Sequence, residues 1–164
     1  MLVGINTGLP NKLVEEAIAS SLIGELAGYA NLRREVKYGV NSRIDLLLEQ
    51  ANGARCYVEI KNVHMSRKAG LAEFPDCVSE RAAKHLVELS RMVADDHRAV
   101  MVYLVQRADT KSFRLAGDLD AKYLAAFAKA RAAGVEALAY DCDVRTDGIS
   151  VAKRLPLHPL AEIR

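Results

Sequence analysis

Apolar and polar positions divide this chain into short runs of strand type and longer repeats of helical period. Leu2-Val3-Gly4-Ile5 is a short apolar run ending at Asn6-Thr7-Gly8, which predicts a strand and a turn. Pro10 suits the first turn of a helix, where its missing N–H has no helical partner in any case. Leu13, Val14, Ala17, Ile18, Ser21 and Leu22 then form a buried stripe, bordered by Glu16, and Gly24 and Gly28 loosen the end of the helix. Arg33 to Tyr38 reads as a strand, with Gly39 and Asn41 turning the chain into a second strand from Ser42 to Leu48. Asn52-Gly53 is a hairpin signal, so Cys56 to Val63 should fold back on that second strand.

Beyond Val63 the pattern lapses. His64 to Gly70 is polar, basic and predicted irregular, with Phe74-Pro75-Asp76 closing it. Periodicity returns from about Ser79 to Asp95, where Val78, Ala82, Leu86, Leu89 and Val93 make a helical stripe and Asp76 or Ser79 can cap the start. Ala99 to Val105 is continuously apolar between Arg98 and Gln106, the mark of a strand buried on both faces. Asp120 to Ala132 is a further helix with Tyr123, Leu124, Phe127 and Ala130 inward, ended by Gly134. Val135 to Tyr140 and Ile149 to Ala152 are the remaining strands, before an irregular tail with Pro156 and Pro159.

Two strands break their own pattern with charge. Asp45 interrupts Ile44-Asp45-Leu46-Leu47-Leu48, and Glu59 and Lys61 interrupt Val58-Glu59-Ile60-Lys61. Burying a lone charge costs several kcal/mol unless a partner or metal compensates it. Alternation puts Glu59 and Lys61 on one face and Cys56, Val58 and Ile60 on the other. It also groups Arg43, Asp45 and Leu47 opposite Ile44, Leu46 and Leu48. If the polar faces coincide, Asp45, Glu59 and Lys61 converge, a set suited to a hard divalent cation acting on a phosphodiester. The same residues equally make a cross-strand ion pair on a solvated face, and spacing alone does not separate the two. On the later helix, Glu80 and Lys84 stand four apart beside Arg81 and His85. This is either an exposed i,i+4 pair or a polar face that turns Arg81 and Lys84 onto a phosphate backbone.

Composition adds limits. The chain has 164 residues, enough for one domain with a single sizeable core, and a net charge of +2. So slight an excess does not by itself argue for a nucleic-acid partner, which must come from local patches. Cys56, Cys77 and Cys142 have no C-x-x-C spacing and suit reduced residues rather than a zinc site or disulfide framework. His64 has no spaced Cys or His partner for zinc either. The run Ala99–Val105 is far short of the about 20 residues that span a bilayer, and no basic and apolar leader opens the chain, so the expected compartment is the cytoplasm.

The order is therefore helix, three strands, helix, strand, helix and strand. This α-β-β-β-α-β core, with Asp45 in its second strand and Glu59-Ile60-Lys61 in its third, resembles the restriction-endonuclease-like, or PD-(D/E)XK, fold: an α/β class with a central mixed sheet flanked by helices. Ile44 stands where the motif's name has Pro. More narrowly, Val3-Gly4-Ile5-Asn6-Thr7, Pro10-Asn11-Lys12-Leu13-Val14, Glu35-Val36-Lys37-Tyr38-Gly39, Ser42-Arg43-Ile44-Asp45, Tyr57 to Val63, Phe74-Pro75-Asp76, Ser79-Glu80-Arg81, Lys84-His85-Leu86 and Gly134-Val135-Glu136 through Ala139-Tyr140 resemble the sugar fermentation stimulation protein (SfsA) family. Members of that family carry a further N-terminal, OB-like segment, so the expectation is one nuclease-like domain over 1–164 without it.

The resemblance implies a DNA-binding protein with a metal-dependent nuclease centre. Asp45, Glu59 and the Ile60 carbonyl would hold Mg²⁺ or Mn²⁺. Lys61 would orient the attacking water and offset charge on the phosphate, and Glu16 stands where many such nucleases place an additional acid. Arg43, Arg81 and Lys84, with Glu80, are candidates for phosphate contact or site support, and Arg67 and Lys68 for backbone contact. The alternative is a non-catalytic DNA-binding regulator of sugar-utilisation genes, using Arg33, Arg34, Lys37, Arg67 and Lys68.

Overall fold

A computed structural model describes residues 8–160 of the chain. The strand expected at Leu2–Ile5 lies outside the described residues. Helix α1 (Leu9–Ala19) is followed by a 3-10 turn at Gly24–Leu26 and by strands β1 (Asn31–Tyr38), β2 (Ser42–Glu49) and β3 (Arg55–Val63). Then come β4 (Met65–Lys68), β5 (Gly70–Phe74), α2 (Glu80–Ala94), β6 (Arg98–Val105) and β7 (Thr110–Leu115). Helix α3 (Ala121–Ala132) and strands β8 (Glu136–Val144) and β9 (Ile149–Arg154) complete the order.

The main sheet runs β1-β2-β3-β6-β8-β9. Its β1, β2 and β3 are antiparallel, β3, β6 and β8 are parallel, and β9 returns antiparallel. The sheet is therefore mixed, as expected. Helices cover both faces. On one, Ala82, Leu86 and Leu89 of α2 and Tyr123, Phe127 and Ala130 of α3 pack on Leu47, Tyr57, Met101 and Tyr103. On the other, Leu13, Val14, Ala17 and Ile18 of α1 pack on Leu46, Val58, Val100 and Val102. Strand β6, pressed from both sides, is buried from Ala99 to Val105, which explains its unbroken apolar run.

The starts of α2 and α3 are fixed by side chains. Ser79 Oγ accepts from Ala82 N–H and Asp120 Oδ1 from Tyr123 N–H, as N-caps do. The second Asp120 oxygen accepts from Ser79 N–H at 3.0 Å, so one buried carboxylate ties α2 to α3 where both begin.

Three expectations need correction. His64–Gly70 is not an irregular loop: β4 and β5 pair there, and β5 pairs in parallel with β7, making a second sheet of order β4-β5-β7. Val78 is 65% exposed and does not belong to the stripe of α2, which begins at Ala82 because Ser79 caps the helix after it. Helix α1 stops at Ala19; Leu22 is exposed and Ile23, past the helix end, is buried instead.

Candidate functional site

The β2–β3 ladder pairs Glu49 with Arg55 through to Leu46 with Val58, and there it ends. Asp45 is the next residue of β2. Its Oδ2 accepts the Ile60 main-chain N–H at 2.7 Å and its Oδ1 accepts from Asn11 Nδ2 of α1 at 3.0 Å. A side chain thus replaces the main-chain partner that β3 has lost, and lies between the strands rather than above a face. Strict alternation fails at this point: Ile44 joins Leu47 in the core under α2 and α3, while Leu46 and Leu48 join the core under α1. The expected grouping of Ile44 with Leu46 and Leu48 is corrected accordingly. Opposite Asp45, Glu35 of β1 has φ 52° and is skipped in a register that continues on both sides of it.

Strand β3 keeps its alternation, with Cys56, Val58 and Ile60 in one core and Tyr57 and Val63 in the other. Glu59 and Lys61 share the latter side. Lys61 Nζ donates to Glu59 Oε1 at 2.7 Å, and His85 Nδ1 of α2 contacts the same oxygen. An ionised carboxylate only accepts, so the His85 proton sits on Nδ1 in this contact. Glu59 is 3% exposed and its other oxygen, Oε2, is buried without a partner.

The two acids are held apart electrostatically. Burial, then the charge of Glu59, pushes Asp45 up to about 6, against the Ile60 N–H, Asn11 and Lys61. Burial opposes ionisation of Glu59 too, but the His85 hydrogen bond and the Lys61 charge outweigh it and lower this acid below the usual range.

These groups floor an open cleft of ≈ 700 Å³. Asn41, Ser42 and Arg43 of the β1–β2 hairpin form one wall, Arg81, Lys84 and His85 of α2 the other, with Glu35 at an edge. Residues 81 and 85, like 84 and 88, are four apart, which puts them on one side of the helix. Asp45, Glu59, Ile60, Lys61, Arg43, Arg81 and Lys84 therefore come together as expected.

Other candidates do not. Glu16 is exposed on α1, pairs with Lys12 at 3.7 Å and does not line the cleft; the residue of α1 turned into the strand gap is Asn11. Arg67 is taken up by Glu73 and Asp118 on the second sheet, and Lys68 is an exposed residue of β4 beside it. Arg33 pairs with Glu49 and Arg34 with Glu15, so their charges are locally balanced. Glu80 is outside the cleft, and Lys84 pairs with Glu88 rather than with it. His85 and Asn11 were not singled out as site residues. His85 carried a legible signal, because it follows Arg81 by four places on the same helix; Asn11 carried none beyond its place before the apolar stripe.

The arrangement offers two carboxylates and a strand carbonyl. A residue's N–H and C=O leave a strand on the same side, so the Ile60 carbonyl faces the gap that its N–H faces. Among the described residues no three His, Cys, Asp or Glu side chains cluster as a metal cage. An oxygen-only set with positions left for water and phosphate fits Mg²⁺ or Mn²⁺ better than Zn²⁺, and the partnerless Glu59 Oε2 is the atom such an ion would satisfy.

Fold and site together define a mixed α/β protein, with three α-helices among the described residues and an acid-floored, base-walled cleft at the parting of two strands. The chain belongs to the sugar fermentation stimulation protein (SfsA) family: the family profile described as the sugar fermentation stimulation protein RE domain matches residues 8–148. A sugar fermentation stimulation protein homolog of Rhodospirillum centenum is 59% identical over 156 residues, covering 95% of this chain and 67% of the relative. One from Brucella anthropi is 56% identical over 156 residues, covering 95% and 67%. The solved structure of Pyrococcus furiosus SfsA in complex with Ca²⁺ superposes with a TM-score of 0.86 at 31% identity, covering 94% of this chain and 66% of that one. The chain spans about two thirds of the length of these relatives. No helix among the described residues is long and apolar enough to cross a membrane.

Proposed function

We propose that this cleft is the metal-dependent nuclease centre of a PD-(D/E)XK-type fold, hydrolysing phosphodiester bonds of DNA or RNA in the cytoplasm. The observation that carries the reading is Asp45 bound into the strand gap by the Ile60 N–H, facing a buried Glu59 with one unsatisfied oxygen. An ordinary structural ion pair has no use for a second acid close enough to feel the first, or for a carboxylate oxygen left buried without a partner. The Ca²⁺ of the solved relative supports a divalent cation here.

Asp45, Glu59 and the Ile60 carbonyl would hold the ion. When bound, it supplies an acidified water and charge neutralisation at the phosphate. Asn11 and the Ile60 N–H keep the Asp45 carboxylate in place, and His85 does the same for Glu59. Lys61 Nζ, half-buried beside Glu59, would hold a proton donor against the phosphate oxygen on which charge grows. Arg43 and Arg81, which have no carboxylate within ion-pair distance among the described residues, are left to bind neighbouring phosphates.

One observation favours a second reading, a DNA-binding regulator that keeps the centre without turnover. Lys61 and His85 both occupy Glu59 Oε1, so two side-chain donors, one of them the Lys61 ammonium, already answer part of the charge. Calorimetric titration with Mn²⁺, on wild type and Asp45→Ala, followed by incubation with labelled single- and double-stranded DNA and RNA, separates the two. Metal binding and metal-dependent cleavage that both vanish in the variant are expected. A folded wild type that binds nucleic acid but no metal leaves only the regulator.

A further inference from the structure

The turn between β1 and β2 is held far more firmly than a surface turn requires. It consists of Gly39-Val40-Asn41 between the paired Tyr38 and Ser42, with φ of 53° at Gly39 and 58° at Asn41. Helix α2 grips its main chain on both polar groups. Val40 N–H donates to Glu88 Oε1 at 3.3 Å, and Lys84 Nζ donates to the Val40 carbonyl at 3.0 Å. Glu88 lies so close beneath that a Cβ on Gly39 would stand 3.1 Å from its Oε1, which, with the positive φ, favours glycine there.

This grip uses a carboxylate that is 1% exposed, paired only at 3.7 Å with Lys84, and whose Oε2 has no partner. Burying such a group costs several kcal/mol, whereas water would satisfy a surface turn at no cost. The side chain presented by the gripped turn is nevertheless apolar: Val40 is 61% exposed. Hairpin tips ordinarily favour Asn, Asp or Gly. A β-branched side chain is also stiff at χ1, so fixing the main chain fixes where the two methyls point. Its neighbours Asn41, Ser42 and Arg43 wall the cleft, and so does Lys84.

We propose that Val40, presented by the Glu88–Lys84 clamp next to the cleft wall of Asn41, Ser42 and Arg43, packs against an unpaired nucleobase and so selects nucleic acids with an unstacked strand at the reacting phosphate. The inference rests on the nuclease reading and names its substrate class. Arg43, three residues on, lines the cleft with no carboxylate at ion-pair distance among the described residues and suits a phosphate, so the apolar tip beside it meets sugar or base. In a duplex the base faces are stacked on one another and hidden; in a single strand, a bulge or a frayed end they are open to an apolar or aromatic side chain.

The test is fluorescence anisotropy in metal-free buffer, where no turnover intervenes, with a labelled single-stranded oligonucleotide and its duplex. Val40→Ala removes two exposed methyls and should fold as wild type. It is expected to weaken single-strand binding about four- to fifteenfold, by the loss of about 0.8 kcal/mol for each of one or two buried carbons, and to leave duplex binding within about twofold. Val40→Phe should tighten single-strand binding about three- to tenfold, because a ring stacks better on a base. Unchanged single-strand affinity in both variants, or equal changes for single strand and duplex, overturns the inference while wild-type binding keeps the nucleic-acid reading alive. A wild type that binds neither form defeats both.

Discussion

Of the three glutamates buried among the described residues, Glu73 and Glu59 make the instructive pair, and only one of the two is finished. Glu73, on β5 of the small sheet, is 1% exposed and both its oxygens are filled: Arg67 Nη2 and Arg114 Nη2 donate to Oε1 at 2.8 and 2.7 Å, and the Arg67 N–H and Nε donate to Oε2 at 3.0 and 3.1 Å. Arg67 goes on to Asp118 at 2.9 Å, so the network closes on itself. Glu59 is also buried, yet Lys61 and His85 crowd one of its oxygens, the other is orphaned, and a second acid stands nearby. Burial of a charge is therefore not the mark of a site. An open valence beside a like charge is, because evolution of stability alone would close or remove it.

The sharpest way to break this comparison is Lys61→Ala. Under the nuclease reading, cleavage falls on the order of 10²–10⁴-fold, the range for a lost proton-handling group. Removing the cation from Glu59 Oε1 frees that acid, so Mn²⁺ affinity should hold or rise in the same variant. Calorimetry and a cleavage assay on one sample check both halves. Retained cleavage would make Lys61 a counter-charge like Arg114, and the contrast between the two glutamates would collapse.

Substitutions that keep shape but remove charge should then act in opposite directions on stability. Glu73→Gln leaves two arginines facing a neutral amide and is expected to destabilise by about 2–4 kcal/mol. Asp45→Asn should stabilise the metal-free protein by about 1–3 kcal/mol at pH 8. Its amide oxygen can still accept the Ile60 N–H, and Asn11 can flip to present its own carbonyl. Asp45 is raised in the folded state to about 6 from 3.8, so the folded chain holds this proton more tightly than the unfolded one. The stability it contributes is full below about pH 3.8 and is lost as pH rises through about 6. The advantage of Asp45→Asn must accordingly grow between pH 5 and 8. Denaturant midpoints in chelator across that range measure it, and a flat difference would show that Asp45 is as settled as Glu73.

The same contrast explains what could be read from the chain in advance. Asp45, Glu59 and Lys61 were legible because each is a charge set in an apolar strand, and their convergence needed only one hairpin, closed by Asn52-Gly53. Strand β6 was legible from its unbroken apolar run, and helices α2 and α3 from their periodicity with the capping and stop residues beside it. The small sheet was not. Met65–Lys68 and Thr110–Leu115 are polar segments whose stability comes from pairing with β5, and nothing in Thr110-Lys111-Ser112-Phe113-Arg114-Leu115 shows a partner forty positions upstream at Gly70–Phe74. Arg67 looked free for phosphate for the same reason: the residues that neutralise it, Glu73 and Asp118, arrive through that unseen pairing. Glu16 failed on helix phase. Sequence shows which side of α1 is apolar but not which turn of it meets the gap beside Asp45, and that turn carries Asn11.

The smallest effect expected, and the most selective, separates the two kinds of arginine. Arg81 lines the cleft without a carboxylate partner among the described residues, whereas Arg67 is held by two. Arg81→Ala should leave the denaturation midpoint within experimental scatter, since an unpaired surface cation contributes little to folding. It should weaken nucleic-acid binding and lower the slope of log K against log salt by about 1, the signature of one lost phosphate contact. Arg67→Ala should do the reverse, lowering stability while leaving the salt slope alone. Because both variants remove one positive charge, the change in net charge is the same in each and cancels from the comparison. A salt slope reduced equally by the two would mean that the whole molecule's field, rather than the cleft, attracts the polyanion, and Arg81 would then have no better claim to a phosphate than Arg67.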